Sequence, residues 1–358
     1  MCWLVRSFSR TPAALLLGLL FGLGGCAGGQ DQGPGAGRLA AIKARGTLSC
    51  GVDGKLPGFS YQDSDGKYVG IDVDVCRALA AALFNDPNKV EYRELTSSER
   101  FTALASGEVD VLSRNSTRTL SRDASGGNGL EFAPTIYYDG QGVMVPVASG
   151  ITSLKQLAGK TICTENGTTT ELNLADRFRE QAIPYTPVKY QTGDQTYAAY
   201  LQGRCAAVTS DRSQLAAKKT SFPDPAAHTL LPDVLSKEPL GPVTVNNDSG
   251  LSDALRWVLF ATMQAEESGI TSKNIKEKLA FAKANPNQAD LRRFLGVEGE
   301  LGQQLGLPAD FVPRIIASVG NYGEIYSRNV GSESKLKLDR GLNRSYKDGG
   351  LIYSPPFR

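Results

Sequence analysis

Arginine and threonine gather where an apolar-alternating segment ends. The run Ser113–Asp123, SRNSTRTLSRD, follows GEVDVL and carries Asn115, Thr117 and Arg122. A guanidinium presents a planar fork of donors to both oxygens of a carboxylate, and a hydroxyl or backbone N–H at a strand end completes such a grip. Taken alone, the run also reads as a solvated loop with a structural arginine. Two further polar clusters behave alike: Asp53 follows TLSCGV, and later Gly167-Thr168-Thr169-Thr170 follows TIC while Asp211 follows AAVTS. Asp211 suits an ammonium group, and Asp53 offers a further acceptor. The N–H groups at Thr168 and Thr169, where a helix dipole begins, suit a second carboxylate contact. Singly, each of these residues also reads as a helix cap or turn residue. Jointly they form the complement of a zwitterion.

The elements that must position these groups follow a regular grammar. TLSCGV reads as strand, VDVCRALAAAL as helix, KVEYREL as strand, SSERFTALASG as helix and VDVLSR as strand, the β-α-β alternation of a doubly wound α/β unit. Each polar cluster falls at the carboxyl end of an expected strand, which is where open α/β sheets bind ligands. A strand at Val143–Val147 leaves this unit, and a second α/β unit runs from SLKQLAGKTICTENG to the Pro-rich stretch Pro223–Pro242. Beyond Pro242, apolar residues three or four apart predict helices over Leu251–Glu267, Ser272–Ala284 and Asp310–Gly320. The expectation is a first lobe made of 39–142 and 238–358, including a helical C-terminal extension, and a second lobe of 143–237. Two chain connections between lobes make a hinge, and a zwitterion bridging them favours the closed form.

A length of 358 residues with 41% hydrophobic and 21% charged residues suffices for two domains with their own cores. A formal net charge of +2, with both signs interleaved, leaves no contiguous basic surface and excludes nucleic acid as a partner. Residues 1–26 read as an export signal: Arg6 and Arg10 supply charge, Ala13–Leu23 the apolar core. The closing LGGC, Leu23–Cys26, resembles a bacterial lipobox, which would attach a lipid at Cys26; the alternative is a plain signal with an incidental cysteine. Residues 27–38 are a Gly-rich tether suited to holding a domain off a membrane. Four cysteines remain in the body and allow three pairings. Cys50, at the end of a strand, and Cys76, in the next helix, make a local pair; Cys163 and Cys205 both lie in later strand-like runs. Each bridge would contribute roughly 3 kcal/mol by restricting the unfolded chain. No Cys or His spacing suggests a metal site, and none of the clusters calls for a cofactor.

The run Gly70–Leu83, GIDVDVCRALAAAL, resembles the signature of the family 3 bacterial extracellular solute-binding proteins, which deliver polar amino acids to ABC transporters. In it Gly70 allows a turn, Ile71, Val73 and Val75 alternate inward, and Asp72 and Asp74 are expected to cap. The stretches LPGFS, ERFTALASGEVDVLSRNSTRTLSRD, YYDGQGVMV, NGTTTELNLADRF, SKEPLGP, VGNYGEIYSRNVG and RGLNRSYKDGGLIYSPPFR are similar to the general L-amino-acid binding subgroup. That resemblance implies a two-lobed periplasmic-binding-protein type II fold. It also implies that Arg122 takes the ligand's α-carboxylate, assisted by Thr117 and the backbone at Asn115. Thr169 would contact the ligand from the second lobe, Asp211 would hold the α-ammonium, and Asp53 would lie in a ligand-contacting loop. The subgroup has an aromatic residue where this chain has Arg118. If Arg118 or its neighbour Arg114 faces the cleft, acidic or polar side chains are favoured, whereas Glu165 draws the preference toward basic ones.

These features imply a non-enzymatic binding protein, lipid-anchored in the periplasm or at the cell surface. It would close on a free L-amino acid and hand it to ABC transporter permease subunits. An enzyme of the same fold is the competing class, but no histidine or paired nucleophile and base stands near the expected cleft. A ligand-binding partner of a sensor is the other.

Overall fold

The computed structural model describes residues 37–358, so the export signal, Cys26 and tether residues 27–36 lie outside the described residues. The first sheet grows around Leu48–Val52, whose parallel neighbours are Val90–Glu94, with Leu48 opposite Val90, and Val111–Leu112, with Cys50 opposite Val111. Val243–Val245 and then Leu130–Phe132 continue it in antiparallel sense. The helices Ile71–Phe84 and Arg100–Ser106 are the crossovers that parallel pairing requires. The second sheet repeats the plan: Thr186–Tyr190, Thr161–Glu165 and Ala207–Asp211 run parallel, followed by the antiparallel Tyr137–Pro146 and His228–Leu230. Two α/β lobes result, as the β-α-β alternation predicts.

Two strands carry the chain between the sheets, and they pair with each other. Tyr137–Pro146 lies against Lys237–Leu240 over its first half, Tyr137 opposite Leu240, and against Ala207–Asp211 over its second half. The Pro-rich stretch that ends the second unit therefore contains two strands, His228–Leu230 and Lys237–Leu240. Pro239 is tolerated there at the margin of the sheet, where a missing N–H leaves no ladder bond broken.

The helix Ile71–Phe84 differs from its sequence reading. It is helical from Ile71 and buried on all sides, between the first sheet and the C-terminal helices Ser249–Glu267 and Phe311–Ser318. Gly70 caps it at φ 132°, where any side chain would strike the Phe59 carbonyl. Asp72 and Asp74, expected as caps, turn inward instead. Asp72 accepts from the Ser113 hydroxyl at 3.1 Å and the Asn115 N–H at 3.0 Å. Asp74 accepts from Arg328 Nε at 3.0 Å and Nη2 at 2.7 Å, and from Asn329 Nδ2 at 2.6 Å.

Asp74 thereby ties the C-terminal extension to the first lobe. The helices Ile275–Ala284, Phe311–Ser318 and Tyr322–Asn329 share one apolar core with that lobe, closed by Phe357 packed edge-on against Trp257 and Phe294. The extension also braces the crossing strand: Tyr322 OH donates to the Ile136 carbonyl at 2.8 Å, and Asn343 Oδ1 accepts from the Tyr138 N–H at 2.6 Å.

Cys50–Cys76 and Cys163–Cys205 are both disulfide-bonded, tying strand to helix in the first lobe and, in the second, the strand Thr161–Glu165 to the segment just before Ala207–Asp211. Their sequence separations of 26 and 42 residues correspond to roughly 3–4 kcal/mol each on the chain-entropy account.

Asp74→Ala leaves Arg328 and Asn329 without their shared acceptor, and because Arg328 is partly solvated the expected cost is about 1–2 kcal/mol of unfolding free energy. Urea titration, with amide hydrogen exchange across Tyr322–Asn329, reads the loss and locates it; unaltered exchange there would refute the tie.

Candidate functional site

Parallel strands of both sheets end at the seam between the lobes. From the first lobe, Val111–Leu112 delivers the segment Ser113–Thr117. Asn115 adopts φ 31°, a left-handed conformation that Asn tolerates better than most residues, and Asp72 pins its N–H. Thr117 is fixed by a short ladder to the second crossing strand: it bridges Leu240, Gly241 N–H donates to Ser116 O at 3.0 Å, and Arg118 N–H donates to Pro239 O at 2.9 Å. One turn of helix, Leu120–Asp123, begins at the Thr119 cap and turns Arg122 back into the seam, where its Nη1 donates to the Thr117 carbonyl at 2.8 Å.

Two more guanidiniums join it. Arg100 reaches Ser116 Oγ at 3.3 Å and the Gly167 carbonyl of the opposite lobe at 3.5 Å, while its Nε finds no acceptor among the described residues. Arg114 donates to the Leu95 carbonyl at 2.6 Å and to Asp53 Oδ2 at 2.8 Å, with Glu165 Oε1 at 3.8 Å. Arg100 and Arg122 both lie over the Phe101 ring, at 4.8 and 5.1 Å, so an aromatic face offsets part of their mutual repulsion. Of the two cations left open by the sequence, Arg114 is buried in the seam, whereas Arg118 is exposed and paired with Asp123 at 3.0 Å.

The second lobe contributes Asp211 at the end of Ala207–Asp211 and the start of the helix Thr169–Glu180. Thr168 caps that helix, its hydroxyl oxygen accepting from the Glu171 N–H at 3.3 Å. Asp211 is 5% exposed, yet its carboxylate accepts no side-chain or backbone hydrogen bond among the described residues.

Glu238, on the second crossing strand, is a site residue that sequence reasoning missed. Its Oε2 accepts from Thr117 at 2.5 Å and Thr169 at 2.9 Å; its Oε1 accepts from Asn173 at 2.7 Å and Ser236 at 2.5 Å. One buried carboxylate thus gathers donors from both lobes and the hinge. The only sequence signal was its place in SKEPLGP. In this arrangement the Thr117 and Thr169 hydroxyl protons point to Glu238, and the Asn115 N–H points to Asp72. Asp53 is likewise engaged, by Arg114. Thr117, Thr168, Thr169, Asn115 and Asp211 are nonetheless brought to one place, lining with Arg100 a small polar chamber of about 20 Å³, while Arg122 stands behind that lining, held to the Thr117 carbonyl.

Burial governs the electrostatics. It holds the Asp211 carboxyl well above its ordinary range, an effect that Asp139 and Glu238 reinforce and Arg100 and Arg122 oppose. Burial also raises Asp72 to about 7 and Asp139 to about 6. It depresses Arg100 strongly, with repulsion from Arg122 and Arg114 adding, and depresses Arg122 less because Glu238 and Asp211 offset it. An acid held in this way gains most from a cation placed beside it. Among the described residues no cluster of His, Cys, Asp and Glu could hold a metal ion, and no helix is long and apolar enough to cross a membrane.

Known proteins share this architecture. The family model of bacterial extracellular solute-binding proteins, family 3, matches residues 48–349. The glutamate/glutamine/aspartate/asparagine-binding protein BztA of Rhodobacter capsulatus is 47% identical over 323 residues, 90% of this chain and 94% of its own. The general L-amino acid-binding periplasmic protein AapJ of Rhizobium johnstonii is 45% identical over 322 residues, 89% and 92% of the two chains. A solved structure of an ABC transporter periplasmic binding protein from Brucella ovis with glutathione bound is 47% identical and superposes with a TM-score of 0.85, covering 90% of this chain and 99% of that one.

Glu238→Ala would leave Thr117, Thr169 and Asn173 without their shared acceptor. The expected outcome is a larger radius of gyration for the unliganded protein in small-angle scattering, with an unchanged far-UV spectrum; an unchanged radius would count against a tie between the lobes.

Proposed function

This chain belongs to the bacterial extracellular solute-binding proteins of family 3, and on that premise we propose that it closes on a free L-amino acid and delivers it to the permease subunits of an ABC transporter. The observation that carries the reading is Asp211: a buried carboxylate in the chamber lining without a hydrogen-bond donor, with the guanidiniums of Arg100 and Arg122 near enough to act on its charge. An α-ammonium answers Asp211. An α-carboxylate answers the N–H groups of Arg122 that Thr117 leaves free, together with the N–H groups opening the Thr169–Glu180 helix. Because Glu238 takes the hydroxyl protons of Thr117 and Thr169, their oxygens serve as acceptors toward the ammonium.

Residues 39–142 with 238–358 act as one lobe and 143–237 as the other, with the paired crossing strands as hinge. A ligand held near micromolar Kd supplies about −8 kcal/mol, enough to move such a hinge from mostly open to mostly closed if most of that affinity belongs to the closed form. The work done is capture and release rather than turnover. It takes place outside the cytoplasm, with Cys26 as the point of lipid attachment that holds the protein at the membrane.

Arg114 and Glu165 put a donor and an acceptor side by side where the ligand's side chain points, which favours polar side chains, amides and acids among them. The ligands named for the Rhodobacter relative support that preference. The glutathione of the Brucella structure supports the head-group reading, since its γ-glutamyl end carries a free α-ammonium and α-carboxylate.

Asp211→Ala and Arg122→Ala are each expected to weaken L-glutamine binding by about tenfold or more, a loss of about 1.4 kcal/mol or more, in titration calorimetry. The pH dependence follows from the raised Asp211 carboxyl. The ammonium needs it ionised, so affinity falls as pH drops through its raised pKa and levels off above it. Asp211→Asn should bind weakly and lose that slope. Wild-type affinity in either alanine variant would refute the assignment.

A further inference from the structure

The chamber at Asp211 does not end the cleft. Arg114 and Glu165 line it on one side and, on their other side, a second cavity of about 200 Å³ that opens to solvent. Beyond them stand Lys55 from the first lobe and Asp194 and Lys218 from the second. Resting on the reading that the inner chamber takes an amino-acid head group, we propose that the outer cavity binds the far end of longer ligands. The class is amino acids whose side-chain amide is extended by a further carboxylate-bearing residue, as in γ-linked dipeptides.

The junction selects for an amide. Glu165 is 8% exposed and its Oε1 accepts no hydrogen bond among the described residues, while the Arg114 Nη2 donor stands 3.8 Å away. A side-chain carboxylate would satisfy Arg114 and be repelled by Glu165; a cation would do the reverse. A carbonyl and an N–H on one amide group answer both. In free glutamine the chain stops there. At about 200 Å³ the outer cavity is roomier than one further residue of glycine size needs.

The far wall suits an anion. Lys218 Nζ donates to Asp194 Oδ1 at 2.9 Å and to the Lys55 carbonyl at 2.9 Å, and Lys55 Nζ lies 3.8 Å from Asp194 Oδ2. Asp194 sits in the first turn of the helix Gly193–Leu201, behind the Thr192 cap, with more than half of its side chain exposed. Two ammonium groups and a helix N-terminus thus surround a carboxylate that swings into solvent at little cost, and a ligand carboxylate takes its place. The other acids of the wall are already occupied, Asp53 by Arg114 and Glu94 by the Tyr68 hydroxyl at 3.0 Å. Since the lysines belong to opposite lobes, an anion between them favours the closed form over the open one.

Calorimetry of the purified protein with L-glutamine, γ-L-glutamylglycine and the C-terminal amide of that dipeptide tests the inference. The dipeptide is expected to bind about fivefold tighter than its amide, as two partly exposed ion pairs would supply. Lys55→Ala or Lys218→Ala should erase that difference. Lys55 lies on an exposed hairpin, so it keeps the test open if Lys218→Ala fails to fold. Equal affinity for dipeptide and amide, or binding of glutamine without the dipeptide, overturns the outer site while leaving the amino-acid reading intact. Failure of glutamine and the dipeptide alike overturns both.

Discussion

Asp211, Glu165 and Glu238 and the guanidiniums of Arg100, Arg114 and Arg122 are buried in one seam between two lobes. Removing such groups from water costs several kcal/mol each unless partners answer them. Glu238 is answered fully, by four donors. Arg114 is answered by Asp53 and the Leu95 carbonyl. Asp211 and one oxygen of Glu165 are not answered by hydrogen bonds, and Arg100 makes only long ones. On the proposed reading, that imbalance is what a zwitterion would redress, its ammonium group answering Asp211.

Topology makes the seam possible. Parallel strands all end on the same side, so each lobe collects its strand-end residues on one edge, and the two crossing strands turn those edges toward each other. The Asn115 backbone and the Arg122 turn are then held by groups outside the seam, Asp72 and the Thr119 cap. The C-terminal extension acts on the same frame from behind. Tyr322 and Asn343 grip the crossing strand at Ile136 and Tyr138, while Asp74 secures the helix that carries Arg328. On the proposed two-lobe reading, such bracing would leave closure about the hinge as the soft motion.

The fold class was readable because strand and helix periodicities alternate cleanly from Leu48 to Leu112, and the disulfide pairing because Cys50 and Cys76 fall in neighbouring elements and Cys163 and Cys205 both in the later unit. Arg122, Thr117 and Asp211 were readable as polar residues at strand ends. Several features were not, for identifiable reasons. The strand Lys237–Leu240 hides in a proline-rich stretch because its partner, Tyr137–Pro146, is about a hundred residues away and no local pattern announces the pairing. Glu238 and Arg100 look like surface residues until the lobes meet over them. Asp72 and Asp74 sit where first-turn acids usually cap, and only the burial of their helix on all sides turns them inward. The orientation of Arg114 against Arg118, two cations four residues apart, depends on the turn at Asn115.

The central claim is that the seam recognises the two charges of an amino-acid head group. Calorimetric titration with L-glutamine, its methyl ester and its analogue lacking the α-amino group measures this most directly. The account predicts that removing either charge abolishes detectable binding while L-glutamine binds. Comparable affinity for all three compounds would contradict it.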